Sequence, residues 1–144
     1  MHLAHPVRSA VLAILLSLSS TAVIAEVVAV VASTSPVTHL SKSQVANIFL
    51  GKSKQYPNGG PAVPIDQAEG STGRNEFYTK VSGKSPAQIK AYWSKIIFTG
   101  KGQPPKVIAD STALKQLLAS NPSAISYMEQ SLVDTNLKVV KIEE

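Results

Sequence analysis

The residues best suited to chemistry are gathered in one short stretch, EGSTGRNEFY, at positions 69–78. In order, the candidate residues are Gly70, Ser71, Thr72, Gly73 and Arg74. The two hydroxyl groups can donate hydrogen bonds, and the glycines let a ligand approach the backbone. Arg74 is the one arginine beyond Arg8, and lysines supply every other basic side chain. A planar guanidinium beside a hydroxyl-rich turn is a combination suited to holding an oxyanion.

This stretch lies between a predicted strand and a predicted helix. The segment AVPIDQ, at positions 62–67, reads as the strand, and a helix from about Ser71 to Val81 follows. In open α/β sheets, ligands collect at the carboxyl ends of strands, where a helix N-terminus offers unpaired N–H groups. The sequence therefore indicates an oxyanion site, although an ordinary helix cap after a loop would explain the same residues.

A second hydroxyl-rich segment follows the first predicted strand, VVAVVA, at positions 27–32. Ser33, Thr34 and Ser35 stand directly after this strand, so they are candidates for a second wall of the ligand site. A solvated loop accounts for these three residues equally well.

The rest of the chain alternates strand and helix signals with short connections. The capping boxes at 41–44 and 85–88 start helices, and the second helix carries an apolar face. That face consists of Ile89, Tyr92, Trp93, Ile96 and Ile97. Further strands are predicted at 106–109, 124–128 and 137–142, and a further helix at 111–120. Five strands and four helices predict an α/β layer fold with a mainly parallel or mixed sheet.

Residues 1–25 read as a signal peptide that is cleaved before Glu26. His2, His5 and Arg8 precede an apolar stretch at 10–18, and small residues with Ala25 at their end form an acceptable cleavage site. A membrane anchor is the alternative, but the apolar stretch is short for a span of about 20 residues. We therefore expect an exported, periplasmic protein whose residues 26–144 form a single domain.

Composition excludes several classes of function. The chain has no cysteine, which excludes disulfides, thiolate metal sites and the lipid-modified cysteine that anchors many exported proteins. Loss of Arg8 with the leader lowers the formal net charge from +5 to +4, and the lysines are scattered. No basic stripe with interleaved aromatic residues indicates nucleic-acid binding. His39 is the one histidine after the leader, so no metal cluster or cofactor site is expected.

An enzyme is not favoured either. A triad of Ser71, His39 and Asp66 is conceivable, but Ser71 does not stand in the G-x-S-x-G context of a nucleophile. The glycines and Arg74 around it suit binding better than catalysis.

Several segments, taken in order, resemble the type II periplasmic substrate-binding proteins of phosphate ABC transporters. These segments are LSKSQVANIFLGK, PNGGPAVPIDQAEGSTGRNEFY and YWSKIIFTGKGQPPKVIADSTALKQLLASNPSAISYM. The likeness covers Val27 to about Met128 and is greatest to the small, single-lobe relatives. It implies one lobe of that fold, with a mixed or parallel sheet of about five strands flanked by helices. It also implies phosphate or a related oxyanion as ligand, and an ABC permease as a partner.

The resemblance fails at informative positions. Two-lobed phosphate binders carry an arginine two residues before an acidic residue and then Gly-Ser-Gly-Thr, and this turn holds the phosphate. Here Gln67 replaces that arginine, Glu69 matches the acidic residue, and the last pair is exchanged to Thr72 and Gly73. Ser126 stands where the family commonly has glycine. Arg74 could restore the lost charge from the other side.

The length of the chain suffices for one lobe, and one lobe offers half of an anion site. We therefore expect weak binding, or a permease or another protein that completes the cleft and provides the only contact with a membrane. A protein-interaction scaffold with a vestigial anion site is the alternative function.

Overall fold

A computed structural model of the chain describes residues 26–144, and the predicted signal peptide at 1–25 lies outside this part. The strands are Val27–Ala32 (β1), His39–Ser41 (β2), Val63–Asp66 (β3), Lys106–Val107 (β4), Ala124–Glu129 (β5) and Leu137–Glu143 (β6). The helices are Lys42–Phe49 (α1), Thr72–Ser82 (α2), Pro86–Phe98 (α3) and Ser111–Ser120 (α4), with a 3-10 turn at Gln130–Leu132. Within residues 26–144, no helix has both the length and the apolar character needed to cross a membrane.

These strands form one mixed sheet in the order β2-β6-β1-β5-β3-β4. β1 runs antiparallel to both of its neighbours, β5 and β6, whereas the remaining pairs of strands are parallel. The predicted mixed sheet flanked by helices is confirmed. It has one strand more than expected, because β2 is three residues long and too short to show a periodic pattern in the sequence.

The core lies on both faces of the sheet, and β1 contributes to both. Val27, Ala29 and Val31 pack in the cluster that also contains buried residues of α1, α2 and α3. Val28 and Val30 pack in the smaller cluster on the other face, against α4. All six residues of β1 are buried, as its uninterrupted apolar run predicts.

Local signals set the starts of α1 and α3 as predicted. Ser41 and Ser85 each accept a hydrogen bond from the backbone three residues ahead, and Gln44 and Gln88 complete the two capping boxes. Pro86 occupies the start of α3, where a missing N–H costs nothing.

The predicted apolar face of α3 is buried at its beginning and exposed at its end. Ile89 and Trp93 are buried, Trp93 with 6% of its surface exposed. Ile97 is 56% exposed and Phe98 is 92% exposed. Ile97 belongs to the predicted apolar face but lies outside the core, because the last turn of α3 extends beyond the core cluster.

Candidate anion-binding site

The candidate site lies where the chain turns from β3 into α2. β3 ends at Asp66, and Gly70 adopts a φ of +88°, a left-handed conformation that glycine tolerates without steric cost. Ser71 is the N-cap residue, and its Oγ accepts a hydrogen bond of 3.3 Å from the backbone N–H of Arg74. The start of α2 therefore lies at the sheet edge where β3 ends.

The first turn of α2 presents several hydrogen-bond donors. Thr72 and Gly73 are the first two helical residues, so their N–H groups have no acceptor within the helix. The Ser71 hydroxyl accepts from Arg74 but retains its own hydrogen to donate. The side chain of Thr72 is exposed, so a ligand can reach its hydroxyl. These donors lie at the positive end of the helix dipole, where an anion is favoured.

The side chain of Arg74 is directed toward a buried carboxylate. Its Nε lies 3.4 Å from both carboxylate oxygens of Asp66, and its guanidinium carbon lies 5.0 Å from the centre of the Tyr78 ring. The side chains of Arg74 and Asp66 are 12% and 3% exposed. Asp66 thus compensates the guanidinium charge and occupies Nε. Among the described residues, no hydrogen-bond acceptor is found for the terminal Nη groups of Arg74.

Asp66 is the centre of a buried hydrogen-bond network. Tyr78 donates its hydroxyl hydrogen to Oδ2 at 2.7 Å, and Tyr127 donates to Oδ1. The backbone N–H of Gln67 also donates to Oδ1, at 2.8 Å. With Arg74 as the fourth contact, the carboxylate has little acceptor capacity left for a ligand. The network therefore joins β3, β5 and α2 rather than forming part of the ligand surface.

The two tyrosine hydroxyls of this network remain protonated. Burial is the main cause that raises the pKa of Tyr78 and of Tyr127 well above the ordinary value of 10.0, and the Asp66 charge adds to it. Sequence reasoning singled out neither tyrosine. The available signal was that a buried tyrosine needs a hydrogen-bond partner, and Tyr127 lies within a predicted strand between apolar residues and Ser126.

Gln67, which the resemblance described above matches to an arginine of phosphate binders, contributes a hydrogen bond within the fold. Its Nε2 donates to the backbone carbonyl of Tyr127 at 2.6 Å, which ties the loop after β3 to β5. Its amide group carries no charge, so the loop has no second cation beside Arg74.

The second hydroxyl-rich segment does not lie at this edge of the sheet. Because β1 runs against β3, Ser33, Thr34 and Ser35 follow β1 at the edge where β3 begins. Ser33 and Thr34 are exposed, whereas Ser35 is buried and its Oγ accepts from the N–H of Val37. The structure therefore does not bring these serines and threonine together with the turn at 70–74.

The residues considered for a catalytic triad or a metal site also lie apart from one another. His39 lies on β2, four strand positions away from β3 in the sheet, which corresponds to roughly 19 Å. Asp66 is held by the tyrosines and Arg74, so Ser71, His39 and Asp66 do not assemble into a triad. Within residues 26–144, no group of three histidine or carboxylate side chains is placed to hold a metal ion.

No protein-family model and no curated protein matches the sequence. Solved structures do match it. One is assigned as a phosphate ABC transporter substrate-binding protein from Clostridium perfringens, with bound phosphate. It is 22% identical with a TM-score of 0.64, over 81% of this chain and 44% of that chain. Another is an ABC-type phosphate transport receptor from Vibrio cholerae, 19% identical with a TM-score of 0.64, over 82% and 46% of the two chains.

A third similar structure is PstS from Borrelia burgdorferi, 10% identical with a TM-score of 0.59, over 82% of this chain and 47% of that one. The described chain therefore has the fold found in phosphate ABC transporter substrate-binding proteins. It spans less than half the length of each of these structures, in agreement with the predicted single lobe.

Proposed function

We propose that the start of α2 binds phosphate or a related tetrahedral oxyanion non-covalently. The observation that carries this proposal is the convergence of the N–H groups of Thr72 and Gly73 with the Ser71 hydroxyl at one helix end. Such an end favours negative charge. The fold shared with phosphate transport receptors adds support. The proposed activity is binding without catalysis, and it needs no cofactor.

Arg74 contributes to this site through its terminal nitrogens. Its Nε is held by Asp66 and its plane lies over Tyr78, so the orientation of the guanidinium is set before a ligand arrives. Pre-organisation of this kind lowers the entropy cost of binding. Because Asp66 compensates the charge of Arg74, most of the attraction comes from the helix end and its donors. We therefore expect modest affinity that weakens as salt is added.

The proposal includes a partner and a cellular location. The matched part of each of these receptors is less than half of its chain, so an anion bound on this part alone would stay open to water. An ABC permease or another protein would cover the open side and would provide the contact with the membrane. Cleavage of residues 1–25 would release the protein into the periplasm without a lipid anchor, since it has no cysteine.

The test is thermal unfolding of residues 26–144 with phosphate or chloride at matched ionic strength. A ligand that binds the folded state raises the melting temperature as it is titrated, whereas screening alone treats the two salts alike. We expect phosphate to stabilise the protein more than chloride. An equal response to both salts would contradict the proposal and favour a protein-binding scaffold.

Variants of Arg74 refine this test. Arg74→Lys should lose part of the phosphate response, because lysine keeps the charge but lacks the planar fork. Arg74→Ala should lose a larger part and keep the part that comes from the helix end. Both variants disturb the ion pair with Asp66 and so change the melting temperature without ligand. The quantity to compare is therefore the rise in melting temperature that phosphate causes in each variant. Lys54→Ala, in an exposed loop, is the control and should keep the full response.

A further inference from the structure

A pocket of about 200 Å³ lies beside the candidate anion site. Its walls come from the start of β1, the end of β5, the loop after β4 and the first turn of α4. Most of its lining is apolar, and the apolar residues with the largest side chains are Val27, Ile108, Leu114, Met128 and Leu132. Val27, Leu114 and Met128 belong to the buried core, so the pocket is a recess in the packed structure.

Gly73 and Gln67 connect this pocket to the anion-binding turn, since both line it. A methyl group built on Gly73 would lie 3.9 Å from Cγ2 of Val27 and 3.7 Å from Oε1 of Gln67. One side of the first turn of α2 therefore packs against Val27 and Gln67 and forms part of the wall of the recess. An anion held by the N–H groups of Thr72 and Gly73 would have an apolar space next to it.

Inorganic phosphate has no apolar group and would leave this pocket unfilled. Ligand pockets pair an apolar wall with a few polar groups that fix orientation, and apolar recesses bind apolar groups. Resting on the oxyanion site proposed above, we infer that the ligand is an oxyanion with a short apolar substituent, such as an alkylphosphonate or an alkyl phosphate monoester. The oxyanion lies on the start of α2, and the substituent enters the pocket.

The polar lining of the pocket narrows the class of substituent further. Glu129 and Ser111 stand at its rim, and both side chains are exposed. The carboxylate of Glu129 repels a second negative group on the ligand. An uncharged alkyl chain of a few carbons fits the recess better than a second carboxylate or phosphate.

The test measures dissociation constants by titration calorimetry for phosphate and for methyl-, ethyl-, propyl- and butylphosphonate. Each methylene that enters the pocket should strengthen binding about three- to fourfold until the space is filled. If phosphate binds but the affinity does not rise from methyl- to butylphosphonate, this inference is overturned and the proposed oxyanion site stays intact. Failure of every compound to bind, phosphate included, overturns both.

A pair of variants locates the substituent. Ala109 is exposed and lines the pocket, so Ala109→Leu fills part of the recess from its rim without altering the core. It should leave phosphate binding unchanged and abolish the gain from chain length. Ala91→Leu, at an exposed position of α3, is the matched control and should keep the gain. An undiminished gain in Ala109→Leu would show that the chain lies elsewhere and would overturn the assignment to this pocket.

Discussion

Replacing Thr72 by proline removes one proposed ligand donor while preserving the helix that carries it. Thr72 is the first residue of α2, where proline is accepted because the N–H it lacks has no helical acceptor. Ser71 has φ −66° and ψ 141°, which is the conformation preferred before proline. Pro86 already occupies the equivalent position of α3. We therefore expect Thr72→Pro to fold normally, with stability within about 1 kcal/mol of the parent.

The effect on binding follows from the lost hydrogen bond. A hydrogen bond to a charged group contributes about 1.5–3 kcal/mol, which corresponds to roughly 10- to 150-fold in affinity for phosphate. Thr72→Pro also removes the hydroxyl, so Thr72→Ala, which removes the hydroxyl alone, is the matched control. The difference between the two variants isolates the contribution of the backbone N–H.

Calorimetric titration with phosphate measures this difference, and denaturant unfolding confirms that both variants fold. Equal phosphate affinity in Thr72→Pro and Thr72→Ala, with both folded, would refute the reasoning that the free N–H at the start of α2 holds the ligand. A preserved difference with sulfate would extend the same site to other tetrahedral anions.

Four further outcomes are expected. Asp66→Asn should destabilise the fold by about 3–5 kcal/mol in urea unfolding, because it leaves Arg74 buried without its carboxylate, and a loss below about 1 kcal/mol would contradict this. Trp93→Ala should cost about 3–5 kcal/mol by the same assay, since Trp93 fills the core beneath α3. The raised pKa of Tyr78 means that this tyrosine ionises more readily in the unfolded chain than in the folded protein. Its contribution to the free energy of unfolding is therefore constant below pH 10.0 and decreases as the pH rises above this value. Tyr78→Phe should make this loss of stability at alkaline pH smaller, as measured by unfolding at a series of pH values. Mass spectrometry of the native protein should find an N-terminus near Glu26, and an intact leader in a membrane fraction would contradict export.

Local sequence signals predicted the elements of this fold well, because each depends on residues close together in the chain. Capping boxes at Ser41 and Ser85 satisfy the first N–H groups of their helices with side chains three residues apart. The run VVAVVA predicts a strand buried on both faces, whatever its neighbours are. By contrast, the burial of Ile97 depends on how far the core extends beneath α3, and helical spacing alone contains no such information.

The candidate site likewise combines features set by the local sequence with contacts that form only in the folded chain. The order of residues Gly70 to Arg74 determined a helix start with free N–H groups and a capping serine, because these features arise within one turn of chain. The partner of Arg74 was decided by the tertiary structure, since Asp66 becomes its neighbour only when β3 and α2 pack together with Tyr78 and Tyr127.

Strand direction, too, was decided by the tertiary structure. Antiparallel pairing of β1 with β5 and β6 carries Ser33–Ser35 to the edge opposite the start of α2, although the same residues would share an edge with it in an all-parallel sheet. A strand's apolar pattern is the same in either direction, because side chains alternate across a sheet regardless of which way the chain runs. The sequence by itself thus determined the capped start of α2 and the hydroxyl-bearing segments, and the packing of the sheet decided which of them stand together.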